Sequence, residues 1–186
     1  MKVEKVRIKS HTDNKKCRNA STGGVKAIWL LGDSGNTISS WAEDVSGMIT
    51  SISGTGTFYK FELVKQSSSF TEAITVNTTS QSVVFEPTVV VNLPKLDQSL
   101  RNVFQSLVSQ NNVFGILLDN NNRYWSFAFA NGGLVSSGSI ETGTAYGDLN
   151  GINALTIVGG EPNASQQIDV TTTLGAVMSG ITVDSE

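Results

Sequence analysis

The stretch VFGILLDNNNRYWSFAFANGG, residues 113–133, decides the fold because it holds two apolar runs on either side of a short polar turn. The Asp-Asn-Asn-Asn turn is short enough to join the runs as a β-hairpin. Alternation along the second strand places Trp125, Phe127 and Phe129 on one face and Tyr124 on the other. Three rings on one face indicate a core strand, whereas an exposed row would be a platform for sugars or bases. We predict that Trp125 and Phe127 are largely buried.

Strand-like patterning continues on both sides of this hairpin. The other runs rich in β-branched or aromatic residues, each bounded by Gly, Asn, Asp or Ser clusters, are residues 25–31, 57–64, 73–78, 82–93 and 153–160. The chain has 18 Gly but only 3 Pro, a composition that favours strands joined by tight turns. We predict a mainly β protein, an antiparallel β-sandwich or barrel.

One stretch has helical periodicity. Its apolar residues follow three-and-four spacing, at Leu93, Leu96, Leu100, Val103, Phe104, Leu107 and Val108. Pro94 suits the first helical position, which needs no N–H, and Asn111-Asn112 suits the end. The pattern predicts one amphipathic α-helix over about residues 94–109, which flanks the sheets and covers an open face or end.

Length and charge divide the chain into an arm and a body. At 186 residues the chain is long enough for one sizeable core and too short for two comfortable domains. Residues 1–26 hold eight of the 13 Lys and Arg but only two of the 16 acids, so they carry +6 and the remainder carries −9. We predict a basic N-terminal arm at 1–24, one β-rich domain at 25–174 and a C-terminal extension at 175–186.

The basic arm has two interpretations. Its basic residues are interrupted by Val3, Val6 and Ile8 in a rough strand-like alternation, which favours a strand added to a neighbouring sheet edge. A tail that binds nucleic acid is the alternative. We expect Val3, Val6 and Ile8 to contact an adjacent subunit.

No catalytic, cofactor or metal site is predicted. The segment GDSG, residues 32–35, has the sequence of a serine-protease nucleophile, but the only histidine is His11, in the arm. One His and the single Cys17 are too few for a tetrahedral zinc site. The DNNN and GDLNG turns lack the terminal acid of a calcium loop. We therefore expect no enzyme activity and no cofactor.

Membrane insertion is not predicted either. No stretch approaches the roughly 20 apolar residues that span a bilayer. No apolar run follows the basic start, as it would in a secretory signal. We expect no membrane partner.

The C-terminal half resembles a known class of assembly protein. DNNNRYWSF at 119–127 is followed by ANGGLVSSGSIETGTAYGDLNGINALTIVGGEPNA at 130–164, a turn and aromatic strand, a Gly-rich hairpin and a closing strand. This succession resembles tail-tube and related ring-forming structural proteins of tailed phages, over roughly residues 25–170. The resemblance implies a virion protein made in the host cytoplasm. It also implies a ring of copies, usually six, that joins other virion proteins and conducts DNA without binding it specifically.

Contacts between such copies are expected at sheet edges and at one loop. Unpaired edges invite uncontrolled association, and a closed ring satisfies them. The Ser- and Gly-rich segment 44–57 displays Met48, Ile49 and Ile52, so we predict an exposed hairpin or loop that contacts the neighbouring ring. On this view, deletion of residues 50–56 leaves a folded subunit that no longer stacks.

The acidic body suits a channel for DNA, because negative walls repel phosphates. The candidates in predicted turns are Asp33, Glu43, Asp44, Glu72, Asp119, Asp148 and Glu161. Two other functions stay open at this point, a capsid-decorating or other assembly protein and a carbohydrate-binding β-sandwich.

Overall fold

The computed structural model describes residues 22–32, 35–64, 66–95, 97–148 and 150–184. Within them the chain is mainly β, with two sheets and one α-helix, as predicted. The elements are β1 Val25–Leu31, β2 Thr37–Glu43, β3 Ile49–Glu62, β4 Ser69–Asn77, β5 Ser82–Pro94, α1 Gln98–Val108, β6 Phe114–Asp119, β7 Tyr124–Phe127, β8 Gly133–Glu141, β9 Gly151–Gly159, β10 Gln167–Ile168 and β11 Met178–Val183.

The hairpin predicted from residues 113–133 is present. β6 and β7 pair antiparallel, with Leu117 opposite Trp125. β6 also pairs with β1 along nearly its whole length. The two apolar runs therefore lie inside a sheet rather than at its edge.

The first sheet curls until its ends meet. The pairings β1–β6, β6–β7, β7–β10, β10–β3 and β3–β1 form a closed circuit. The long strand β3 makes this possible, because its second half pairs with β1 while its first half pairs with β2 and β10. β11 adds to β3 in parallel.

Two apolar cores lie on opposite faces of this closed sheet. Alternation along β1 directs Trp29 and Leu31 into one core and Ile28 and Leu30 into the other. The first core also holds Ile49, Ile52, Phe58, Ile116 and Ile168. The second is shared with the four-stranded sheet, through Val89, Val91, Leu155 and Ile157. β1 and β6 are therefore packed on both faces.

The aromatic strand follows the predicted alternation only in part. Phe127 is fully buried in the core between the sheets, and half-buried Trp125 packs against that same core. Tyr124 faces the other core, as predicted. Phe129 was predicted beside Phe127, but it also lies in the other core. Ala128 has φ of 55°, and this left-handed residue ends the strand and reverses the direction of the next side chain.

The helix begins later than predicted. Pro94 is the last residue of β5 and pairs with Gly151 instead of opening the helix. Asp97 is the N-cap, because its carboxylate accepts a 2.7 Å hydrogen bond from the Leu100 amide. That amide bond lowers the pKa of Asp97. The predicted end near residue 109 agrees with the structure, since Ser109 is the C-cap.

The C-terminal residues belong to the domain. The predicted boundary at 174 is wrong, because Leu174–Val177 form a 3₁₀ turn and β11 follows it directly. Leu174, Val177 and Ile181 are buried in the core inside the closed sheet. Residues 1–21 of the arm predicted at 1–24 lie outside the described residues, and so do the predicted contacts Val3, Val6 and Ile8.

Candidate assembly surface

The four-stranded sheet has two open edges. Its strand order is β4-β5-β9-β8, so β4 has no strand on its outer side, and β8 has none past Gly133, which bridges to Val113. Among the nine residues of each strand, Glu72 is the charged residue of β4 and Glu141 that of β8. Glu141 is the last residue of its strand. Both edges are therefore long and almost uncharged.

The β4–β5 hairpin extends past the body of the protein. β5 pairs with β9 as far as Thr88, and the last contact on that side joins the backbones of Phe85 and Glu161. From this point β4 and β5 continue to pair with each other, from Ile74 opposite Phe85 to Asn77 opposite Ser82, and we call residues 73–85 the hairpin arm. No Lys, Arg, Asp or Glu occurs in AITVNTTSQSVVF.

One face of the hairpin arm is apolar and exposed. Phe70 points to the core and meets Phe127 edge to face at 6.4 Å between ring centroids. Ile74 and Val76 share that face of β4, since they lie four and six residues further along. Val83 pairs with Val76 and faces the same way. The exposed fractions are 63% for Ile74, 58% for Val76 and 45% for Val83, so the core-side face continues into solvent.

Helix α1 runs beside the β8 edge. A Cβ placed on Gly138 would lie 3.6 Å from Phe104 Cζ, so the helix touches the middle of β8. The chain after the helix meets the start of β8, where Val113 and Gly133 exchange two 2.8 Å backbone hydrogen bonds. Val108 follows Phe104 by one helical turn on the same face and is 47% exposed. This edge therefore has an apolar flank.

The DNNN turn is a hydrogen-bonded clamp around Asp119. Its Oδ1 accepts bonds from the amides of Asn121 and Arg123 at 2.8 and 2.9 Å, and its Oδ2 accepts one from Trp125 Nε1 at 3.2 Å. The Asn121 side chain also exchanges two bonds with the backbone of Thr22. The turn thus holds the chain where the domain begins.

These bonds lower the pKa of Asp119. Partial burial of the carboxyl raises its pKa, but the hydrogen bonds from Arg123, Trp125 and Asn121 outweigh that desolvation. A carboxyl with a lowered folded-state pKa stabilises the fold above its unfolded-state pKa. That contribution is lost as the pH falls through the folded-state value.

We expect Asp119→Asn to lower the free energy of unfolding by about 1–3 kcal/mol at pH 7, because bonds to a charged acceptor are lost or weakened. The difference from the unmodified chain should shrink as the pH falls below about 4, the ordinary pKa of an Asp carboxyl, and through the lower folded-state pKa of Asp119. Urea unfolding at pH 7 and pH 3 measures both values. Asp169→Asn, at an exposed acid, is the control. An equal loss of stability at both pH values would contradict the role of the charge.

Two other predicted channel acids also bind their own turns. Asp148 Oδ2 accepts hydrogen bonds from the amides of Ala145 and Thr144, each at 2.6 Å, and these lower its pKa. Asp44 Oδ1 accepts bonds from two amides of the β2–β3 turn. An Asp at such a position stabilises its turn, because the carboxylate accepts hydrogen bonds from backbone amides of that turn.

Two acids join segments that are distant in sequence. Glu72 Oε1 accepts bonds from the Ser165 amide and hydroxyl at 2.8 and 2.9 Å. Glu161 is buried, and its two oxygens accept bonds from the amides of Ala130 and Asn131 at 2.9 and 3.0 Å. A buried carboxylate needs such donors. Both residues hold the fold together.

Two of the seven predicted channel acids remain, Glu43 and Asp33. Exposed Glu43 accepts a 3.2 Å bond from Trp41 Nε1 at the end of β2, and Asp33 lies outside the described residues. The structure places the six described acids at separate turns and strands. Their place along a channel stays a prediction.

The prediction that residues 44–57 form an exposed contact loop is wrong, because most of the segment is a strand whose isoleucines are buried. Only residues 44–48 form a turn, and the rest is the first half of β3. Ile49 and Ile52 are fully buried in the core inside the closed sheet, so they are not exposed contacts. Met48 is half-buried. A shift in the pairing of β3 with β2 explains the error, because Thr50 is an extra residue there and both Ile49 and Ile52 face inward while Thr50 and Ser51 face solvent.

The exposed residues of the hairpin arm were not predicted as contacts. Ile74, Val76 and Val83 have the pattern of ordinary core strands. The run of 13 residues without charge around two strands does not distinguish them, because the runs 45–59, 102–118 and 124–140 are longer and also lack charge. An exposed strand is usually protected by charged side chains.

Metal-binding clusters and membrane-spanning helices are both absent from the part of the chain that the structure describes. Those residues contain no group of three or more His, Cys, Asp or Glu placed to hold a metal ion. They include no helix that is long and apolar enough to cross a membrane. His11 and Cys17 lie outside them.

In comparisons with known proteins, no family, no curated protein and no solved structure matches this chain.

Proposed function

We propose that this protein is a non-enzymatic structural subunit that assembles with its own copies into a ring. The ring would be of the kind that forms a tailed-phage tail tube or head-to-tail conduit. The observation that carries the proposal is the pair of long, nearly uncharged open edges on the four-stranded sheet. Natural proteins usually protect such edges with Lys, Pro or a covering segment. Edges that lack protection suit pairing with another chain.

Strand direction favours a closed ring. Each neighbouring pair in the order β4-β5-β9-β8 is antiparallel, so the two edge strands run in opposite directions. A rotation about an axis along the strands keeps these directions. β4 of one copy therefore meets β8 of the next in antiparallel orientation, and repetition of one heterologous contact closes a ring.

Irregular pairing supports a curved wall. The register shifts between Val91 and Leu93 against β9, and β8 shifts at Val135/Ser137 and Ser137/Ser139. Bulges of this kind bend a sheet and increase its twist. A sheet that joins its copies around a ring needs such curvature.

Charge supports passage of DNA without adhesion. Residues 27–186 carry −9, and Lys and Arg are the groups that bind the phosphate backbone tightly. The ring would pair with itself and with other virion proteins. A stack of rings would form a conduit in the virion after synthesis in the host cytoplasm.

We expect Ser137→Lys to block assembly, because the new ammonium group on β8 would lose its water in the joined sheet. The concentration at half assembly should rise at least about tenfold. Light scattering after gel filtration, with negative-stain microscopy, measures it. Thr172→Lys adds the same charge in an exposed bend and serves as the control.

Two outcomes contradict the proposal. If the unmodified chain stays monomeric at every accessible concentration, self-assembly is wrong. If Ser137→Lys forms the same rings as the control, β8 is not the contact. Subunits that decorate purified capsids but form no rings would favour the capsid-decorating function.

A further inference from the structure

The hairpin arm presents an apolar face that its own chain leaves uncovered. Ile74, Val76 and Val83 lie past the end of the body, on the face of β4 and β5 that also carries half-buried Phe70 and Glu72 and buried Val89. Burial of each such side chain is favourable. A monomer gains nothing from displaying three of them on a paired, uncharged hairpin.

The opposite edge of the same sheet, at β8, also has an apolar surface that its own chain leaves uncovered. On its outer side β8 has no neighbouring strand past its first residue, Gly133, which bridges to Val113, and exposed Val108 lies one helical turn after Phe104, which touches β8 at Gly138. No charged residue occurs in the last seven residues of α1, NVFQSLV, or in the first eight of β8, GLVSSGSI. An apolar segment can therefore approach this edge without desolvating a charge.

We propose that the hairpin arm of one copy docks on the next copy, with Ile74, Val76 and Val83 against the C-terminal half of α1 beside β8. This inference rests on the proposed ring function, and it names the surface that the arm covers. The occupant is a second copy of this chain.

Sheet geometry argues for this occupant. When two sheets join edge to edge, their faces are continuous, so the core-side face of the arm lies on the same side as the neighbour's helix. If the two copies join without any shift along the strands, Ile74 lies level with a position about two residues before Gly133, the first residue of β8. This follows because Ile74 pairs with Phe85, Phe85 with Glu161, and Gly133 with Gly159. Strands of a closed barrel are staggered relative to their neighbours. A stagger of a few residues brings Ile74 and Val76 beside Val108.

Site-directed crosslinking tests the contact in the full chain. Val76→Cys and Val108→Cys are made separately in a Cys17→Ser background, and the purified proteins are mixed under mild oxidation. We expect a disulfide-linked heterodimer within the assembled rings. Thr75→Cys, one residue away on the other face of the arm, is the matched control and should give at least about tenfold less product with Val108→Cys.

A second measurement does not depend on disulfide geometry. The variant Ile74→Ser/Val76→Ser/Val83→Ser should raise the concentration at half assembly at least about tenfold, because apolar burial in the contact is lost. Its thermal unfolding as a monomer should stay unchanged, since these side chains are exposed. The matched control is Thr71→Ser/Thr75→Ser, on the other face of β4.

The outcomes separate this inference from the proposed function. Rings that form normally from the triple variant and give no Val76–Val108 crosslink would overturn the docking and leave the ring function standing. Efficient crosslinking of Val76→Cys with itself would replace the docking with an arm-to-arm contact. Absence of rings from the unmodified chain would overturn both.

Discussion

We expect deletion of residues 50–56 to abolish cooperative folding. The segment lies in the first half of β3, where β2 pairs on one side and β11 on the other. It also contains Ile52, which is fully buried in the core inside the closed sheet. Loss of two strand pairings and of core contacts exceeds the stability of an ordinary domain, about 5–15 kcal/mol. This reverses the expectation from the sequence that the deletion leaves a folded subunit.

Circular dichroism and hydrogen exchange of the purified deletion variant measure the result. The control shortens the hairpin arm instead, with residues 77–82 replaced by Asn-Gly, which forms a two-residue turn between Val76 and Val83. That variant should fold. A deletion variant of 50–56 that unfolds cooperatively near the temperature of the unmodified chain would show that β3 is dispensable.

The second large effect is expected for Phe127→Ala, which should lower the free energy of unfolding by about 3–5 kcal/mol. Phe127 is fully buried between the two sheets, and its ring meets Phe70 edge to face. Truncation leaves a cavity in the contact that joins the sheets. Urea unfolding monitored by tryptophan fluorescence measures the change.

Tyr146→Ala is the matched control, because that ring is fully exposed and its removal should change stability by less than about 0.5 kcal/mol.

The effect of Phe127→Ala on stability also bears on the carbohydrate-binding alternative. A platform for sugars needs exposed rings, and the largest rings of this stretch pack on the cores. A Phe127→Ala variant of unchanged stability would contradict the core role and restore the platform as a hypothesis.

The acids show how far a local turn signal predicts the surroundings of a side chain. Asp44, Asp119 and Asp148 were predicted in turns, and they lie in turns. Their carboxylates accept amide hydrogen bonds from those turns, an interaction that local sequence favours. Glu72 and Glu161 instead accept bonds from segments far away in the chain. Glu43 and Glu72 were also predicted in turns but lie in β2 and β4, and the partner of each carboxylate depends on which segments the fold brings together.

The sequence by itself determined the class of fold. Two-residue alternation predicted the strands around the 113–133 hairpin, and three-and-four spacing predicted α1. These signals are local, because a strand or helix turns its side chains with a fixed period. Short strands without strong alternation escaped the prediction, among them β10, with two residues, and β11, which contains Gly180 at φ of 75°.

Only the tertiary structure decided which apolar faces are covered. Ile52 and Ile74 are both isoleucines in Ser- and Thr-rich strands, yet one is fully buried and the other is 63% exposed. β3 lies at the centre of a closed sheet, whereas the hairpin arm extends past the last strand that would cover it. Periodicity specifies the direction of a side chain relative to its own strand. Its burial depends on long-range packing against other elements, and the exposed arm is visible only once that packing is known.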